Sequence, residues 1–186
     1  MLHNRNELFD PVPSKIVYCY GEYQQAFDDM SETIPNICFT EGFPDNLYGM
    51  LEGYQNSLVI IDDLMSECSK DQRVSDLFTR GSHHQGISVM YLTQNLFPPG
   101  KQSRTISLNS HYMIVFKNPR DCLGVSTLAR QMYPNNCNFL LESFQDATKK
   151  PYGYLLLDLH QCTPENIRLR TNILPSERQI VYVKRT

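Results

Sequence analysis

The chain has 186 residues, 41% hydrophobic and 20% charged, with a formal net charge of −3. That balance suits a soluble globular protein with a real core and excludes a disordered chain. It also excludes a basic protein that coats nucleic acid by bulk attraction, so any such contact must come from a local patch.

No apolar run approaches a membrane span, and Met1-Leu2-His3-Asn4-Arg5 has no signal-peptide core. The six cysteines, at 19, 38, 68, 122, 137 and 162, lack zinc-ribbon spacing. Cys19 and Cys38 fall inside apolar strand-like runs. Together they read as free thiols of a reducing, intracellular compartment, cytoplasm or nucleus.

Residues 1–9 are polar and stop at Asp10-Pro11-Val12-Pro13, where two close prolines end a helix and begin an extended segment. Lys15-Ile16-Val17-Tyr18-Cys19-Tyr20 predicts a strand closed by Gly21. Tyr23, Ala26, Phe27 and Met30 repeat at helical spacing and predict an amphipathic helix over 22–33. A short strand over 36–40 follows, then a helix through Leu47, Met50 and Leu51 with Asp45 as its N-cap. Leu58-Val59-Ile60-Ile61 is the apolar run of a fully buried strand.

Residues 66–70 read as a polar loop, and 71–80 as a helix with Val74, Leu77 and Phe78 inward, closed by Gly81. Ile87 to Leu92 predicts a second buried strand. Phe97 to Arg104 reads as irregular, 106–110 as one or two helical turns, and Tyr112 to Phe116 as a third buried strand. Helices over 121–133 and 136–148 precede an antiparallel pair, 154–159 and 167–171, and a last edge strand over 180–183. The alternation over the first 150 residues predicts an α/β fold with a mainly parallel sheet covered by helices on both faces. No repeat or composition break divides the chain. One domain is expected, with 1–150 as the α/β core and 151–186 as a β extension.

The strand at 57–61 delivers Asp62 and Asp63 side by side. Acids at the carboxyl end of such a strand lie in the crevice where α/β sheets bind ligands. In nucleoside triphosphatases this is the Walker B pattern: the first acid holds Mg²⁺, usually through water, and the second can orient or deprotonate an attacking water. The plain alternative is a core strand running out into a solvated acid pair. Gln94 ends the next strand, on the same side of a parallel sheet, and its amide suits a γ-phosphate or attacking water, or a loop cap. Arg80 at a helix end suits either a finger toward a neighbouring subunit's γ-phosphate or completion of the helix dipole. His83 and His84 read as loop hydrogen-bonding groups in preference to a metal pair, since adjacent side chains rarely share an ion.

Three stretches taken together resemble a known family: Ser57 to Met65, Asp76-Leu77-Phe78-Thr79-Arg80-Gly81-Ser82-His83-His84, and Ser88-Val89-Met90-Tyr91-Leu92-Thr93-Gln94-Asn95-Leu96-Phe97. They are similar to the DNA-packaging ATPases of Maverick/Polinton elements, akin to poxvirus genome-packaging ATPases, in the FtsK–HerA class of P-loop enzymes. Asn6-Glu7-Leu8-Phe9-Asp10 and Lys15 to Gly21 resemble the segment after that family's P-loop helix. The resemblance implies a RecA-like core that uses ATP and Mg²⁺, forms a homo-oligomeric ring and moves double-stranded DNA into a shell of capsid protein, with a virion-associated location. It implies Asp62 as the Mg²⁺ acid, Asp63 as the catalytic acid, Gln94 as the polar sensor and Arg80 as the finger. Lys101, Arg104, Lys117 and Arg120 are the candidate DNA contacts, beside the plainer reading of solvated loop charges.

One departure stands against that match. The family's G-x-x-x-x-G-K-[ST] loop has no counterpart: the single Gly-Lys pair, Gly100-Lys101, has Asn95 at the first glycine position and Gln102 at the hydroxyl position. Without it no backbone N–H cradle or lysine meets the β-phosphate. The family's first strand, in mid-sheet between the Gln94 and Tyr112 strands, is also missing. Each backbone group left unmatched there should cost about 1–3 kcal/mol. Met1 falls where that loop's helix would run, so the expectation is a truncated copy that binds ATP poorly and hydrolyses none. The alternatives are a non-catalytic structural or regulatory subunit of a packaging complex, and a metal-dependent phosphohydrolase or nuclease using Asp62 and Asp63.

Overall fold

The computed structural model describes residues 1–64, 71–81 and 86–185. The expected loop at 66–70 and the pair His83-His84 lie outside the described residues. The chain forms two compact units, residues 1–109 and 110–186.

The first unit contains a short helix α1 (Arg5–Leu8), then β1 (Lys15–Tyr20), α2 (Ala26–Thr33), β2 (Ile37–Glu41), α3 (Leu47–Leu51), β3 (Ser57–Asp62), α4 (Gln72–Asp76), β4 (Ile87–Leu92) and α5 (Lys101–Asn109). Its sheet has the order β2-β1-β3-β4, and every pairing is parallel. β1 and β3 are central and buried, as their unbroken Ile/Val-rich runs require of strands covered on both faces. Alternation then sorts the side chains. Ile16, Tyr18, Leu58 and Ile60 pack with Phe27 and Ile34. Val17, Cys19, Val59 and Ile61 pack on the other face with Leu47, Leu51, Val74, Leu77, Phe78 and Ile106.

Four expectations change here. Residues 101–104 are not irregular: the helix starts at Lys101, because the Pro98-Pro99-Gly100 break is over once Gly100 has turned the chain at φ 140°. Asp45 is not a cap. α3 starts at Leu47, and Asn46 before it makes no side-chain cap bond; Asp45 pairs with Arg73 at 2.6 Å. α2 starts at Ala26, leaving Tyr23 outside it with its ring edge-on to Phe27. The helix at 71–80 is α-helical only through Asp76 and continues as a π-turn, Leu77–Gly81; Val74, Leu77 and Phe78 are buried.

The second unit contains β5 (Tyr112–Phe116), α6 (Cys122–Met132), α7 (Cys137–Ala147), β6 (Tyr154–Asp158), β7 (Leu169–Thr171) and β8 (Ile180–Tyr182). Its sheet has the order β5-β6-β7-β8 and is antiparallel throughout. β5 is therefore not the third buried strand of the parallel sheet. It pairs with β6 from Tyr112↔Asp158 to Phe116↔Tyr154, and Tyr112 and Phe116 stay 58% and 56% exposed. An apolar run of five residues reads the same whether one face or both are covered. α7 packs on β6 and β7, and Leu155, Leu157, Leu169, Leu140, Leu128 and Ala129 are buried.

Asp158, 4% exposed at the end of β6, accepts from His160 N–H, Thr163 Oγ1 and Arg170 Nη2. Cys38, Cys122, Cys137 and Cys162 are free thiols. Among the described residues no helix is long and apolar enough to cross a membrane.

Candidate functional site

β3 ends at Asp62, which stands opposite Tyr20 of β1 and Leu92 of β4. Tyr18, two residues before Tyr20, faces the same side of the sheet. Its hydroxyl donates to Asp62 Oδ2 at 2.7 Å. Burial, and then the Asp62 carboxylate, hold the Tyr18 phenol well above its usual pKa, so it stays a donor.

The chain turns immediately after β3. Asp63 takes a left-handed conformation, φ 55°, which an aspartate tolerates better than most residues. Gly21 N–H donates to the Asp62 carbonyl at 3.2 Å. The two strand ends are thus tied together at the point where the acids emerge.

Gln94 lies two residues beyond β4. Its Nε2 donates to Asp63 Oδ1 at 3.5 Å, the outer limit of a hydrogen bond. The loop that carries it is shaped by its own polar side chains: Asn95 N–H donates to Thr93 Oγ1, and Phe97 N–H to Asn95 Oδ1. Gln24, Asp62, Asp63, Leu92, Thr93 and Gln94 line one depression of about 290 Å³. It opens at the carboxyl ends of β3 and β4, where parallel sheets bind ligands.

Of the sequence-predicted residues, Asp62, Asp63 and Gln94 come together. Arg80 does not line this depression; it is exposed in the π-turn at 77–81. Lys101 and Arg104 are exposed in the first turn of α5, three residues apart. Lys117 and Arg120 are exposed between β5 and α6, in the second unit. Sequence reasoning missed Tyr18, Gln24 and Thr93. Tyr18 was within reach: it sits an even number of residues from the end of a strand that neighbours β3. Gln24 and Thr93 carry no local signal.

The donor set is oxygen-rich and hard: two carboxylates, two amides and a hydroxyl. Such a set fits Mg²⁺, which takes one or two carboxylates and keeps several waters. Among the described residues the one side-chain hydrogen bond of Asp62 is that from Tyr18 to Oδ2. Among the described residues the lining contains no lysine or arginine, so they do not supply the charge that a triphosphate needs. Among the described residues no three His, Cys, Asp or Glu side chains cluster as a metal cage.

A larger depression of about 410 Å³ lies in the second unit, beside Tyr133 and Arg168. Its arginine is already engaged by Glu165 and by the carbonyls of Asp158 and His160, and none of the residues singled out above lines it. No family model, curated protein or solved structure matches this chain.

Proposed function

We propose that residues 1–109 form the acidic half of a Mg²⁺-dependent nucleoside triphosphatase site of the DNA-packaging motor class. The observation that carries the reading is the gathering of Asp62, Asp63 and Gln94 around one depression at the ends of adjacent parallel strands. The resemblance of the three stretches around them gives the reading its chemistry. The position of β4 also supports it: this strand, which would neighbour the family's missing first strand, is the edge of its sheet.

In this reading Asp62 holds the cation. Mg²⁺, when bound, supplies charge neutralisation at a phosphoryl oxygen. Asp63 orients a water and accepts its proton, and the Gln94 amide fixes that water's direction by hydrogen bonding. Lys101 and Arg104 form the duplex-DNA contact. Because the described lining carries no cationic side chain and the sequence has no G-x-x-x-x-G-K-[ST] loop, the chain by itself holds MgATP weakly and does not turn it over. That same feature favours a second reading, a nucleotide-independent subunit that joins a ring of packaging enzymes.

Titration of the purified protein with Mn²⁺, as a paramagnetic substitute for Mg²⁺, tests the site. Binding that is lost in Asp62→Asn supports a cation site there; binding absent from the wild type, or unchanged in Asp62→Asn, overturns it. A parallel MgATP titration separates the two readings. Weak, Asp62-dependent binding supports the triphosphatase half-site, and none supports the nucleotide-independent subunit.

A further inference from the structure

We infer that Tyr18 is a positioning residue of this acidic site: its hydroxyl fixes the carboxylate of Asp62 and so makes Asp62, and not its neighbour Asp63, the acid that holds the cation. This assignment rests on the reading of residues 1–109 as a cation-dependent site. It goes beyond that reading by giving two adjacent acids a physical reason to take different parts.

The two carboxylates leave one strand end under different constraints. Asp62 is half-buried and Asp63 is exposed. Asp62 Oδ2 accepts the Tyr18 hydroxyl at 2.7 Å, the ordinary length of a good hydroxyl bond. Asp63 is met by Gln94 Nε2 at 3.5 Å, the outer limit of bonding. The phenol that anchors Asp62 is itself held. Tyr18 is 8% exposed. Its ring lies 5.1 Å from that of Phe27 and 5.3 Å from that of Phe39, and those two rings stack on each other at 4.7 Å. β1 and β3 pair in register from Lys15↔Ser57 to Tyr20↔Asp62, which keeps Tyr18 two positions back from Asp62 on the same face of the sheet.

An aspartate at a strand end turns about its side-chain bonds, and ordering it when a cation binds costs that rotamer freedom. A bond to a fixed hydroxyl moves the ordering into folding. It uses one lone-pair position of Oδ2 and leaves the rest of the carboxylate open. Asp62 therefore meets a cation, or a water in its shell, with its direction already set. Asp63 keeps the freedom to turn toward a water, guided loosely by Gln94. The hydroxyl also draws electron density from the Asp62 carboxylate, which weakens its pull on a cation. Orientation outweighs this effect, since removing a hydrogen bond that orients a metal-holding group typically weakens metal binding by about 10–100-fold. With water between Asp62 and the cation, the low end of about tenfold applies.

Mn²⁺ titration followed by electron paramagnetic resonance, in wild type, Tyr18→Phe, Asp62→Asn and Asp63→Asn, tests the assignment. Asp62→Asn is expected to abolish binding and Asp63→Asn to weaken it less. Tyr18→Phe, which keeps the ring packing, is expected to weaken it by about tenfold. The same factor is expected when Tyr18→Phe is added to Asp63→Asn, because Tyr18 acts through the other acid. A factor that vanishes in that background, or binding that needs Asp63 and not Asp62, overturns the assignment. Unchanged binding in Tyr18→Phe, with binding still abolished by Asp62→Asn, overturns the role of Tyr18 and leaves the cation site standing. Binding that is absent, or indifferent to both acids, removes the site itself and the inference with it. Tyr18→p-aminophenylalanine separates the hydrogen bond from packing, since it keeps both a ring and a donor. Recovery of wild-type affinity supports the inference, and affinity as low as that of Tyr18→Phe overturns it. A further measurement needs no Tyr18 variant: saturation with Mg²⁺ should shift the near-ultraviolet tyrosine absorption of the wild type and not that of Asp62→Asn. Absence of the shift in a wild type that binds the cation overturns the coupling.

Discussion

A Cβ built on Gly21 would stand 2.8 Å from the carbonyl oxygen of Asp63. The turn that releases β1 and the turn that releases β3 are therefore in direct backbone contact, and only a residue without a side chain fits between them. The obstacle is backbone, which cannot swing aside as a long side chain would. Gly21→Ala is expected to destabilise the first unit by about 1–3 kcal/mol and to displace Asp63. Thermal unfolding measures the first effect, and loss of Asp62-dependent Mn²⁺ binding reports the second. A variant as stable as the wild type would show that the two turns are free to separate.

The Asp158–Arg170 pair should be costly to break. Asp158 is buried and Arg170 reaches it with Nη2 at 2.5 Å. Arg170→Met leaves the carboxylate, among the described residues, with the His160 N–H and the Thr163 hydroxyl as donors. Loss of about 3 kcal/mol or more is expected, the usual consequence of orphaning one member of a buried pair. Urea unfolding provides the measurement; a change under about 1 kcal/mol would place the pair with surface ion pairs.

Asp71 caps α4 by accepting the Arg73 N–H at 2.9 Å. The Arg73 side chain holds the Asp71 carboxyl below its ordinary value of 3.8. A carboxylate with a depressed folded-state pKa stabilises the fold above its unfolded value, and that contribution fades as pH falls through the folded one. Asp71→Ala is accordingly expected to cost about 1 kcal/mol at neutral pH. The gap between variant and wild type should narrow on acidification below 3.8. Melting curves across that range decide it, and a gap independent of pH would remove the charge from the explanation.

Lys101 and Arg104 test the proposed DNA contact. Each phosphate neutralised on duplex DNA contributes about 0.9 to the slope of log affinity against log salt. The double variant Lys101→Glu/Arg104→Glu should bind duplex DNA more weakly and with a slope shallower by about 2. Fluorescence anisotropy at several salt concentrations measures both quantities. An unchanged slope would return these residues to the solvated surface.

Much of the first unit is legible from residue types alone. Ile16-Val17-Tyr18-Cys19 and Leu58-Val59-Ile60-Ile61 have no polar alternation, and a run of that kind must be covered on both faces, which points to parallel strands between helices. The same run makes Asp62 and Asp63 conspicuous, since nothing in the strand prepares for charge. The helices at 122–132 and 137–147 and the antiparallel tail follow from equally local signals. Asp45 failed as a cap because acids beside a helix start are offered several partners, and Arg73 supplied a better one.

The residues themselves determined where strands and helices form and which strand carries acid out of the core, because those outcomes depend on side-chain period and burial within a few positions. Only the tertiary structure decided that Tyr112–Phe116 joins the antiparallel sheet, that Tyr18 holds Asp62, and that Gln94 meets Asp63. Each of those is a choice of partner 31 or more residues away in the chain. A hydrogen-bonding edge or a carboxylate oxygen accepts any suitably placed donor, so the partner is set by which strands lie side by side and in what register, and not by the composition of either one.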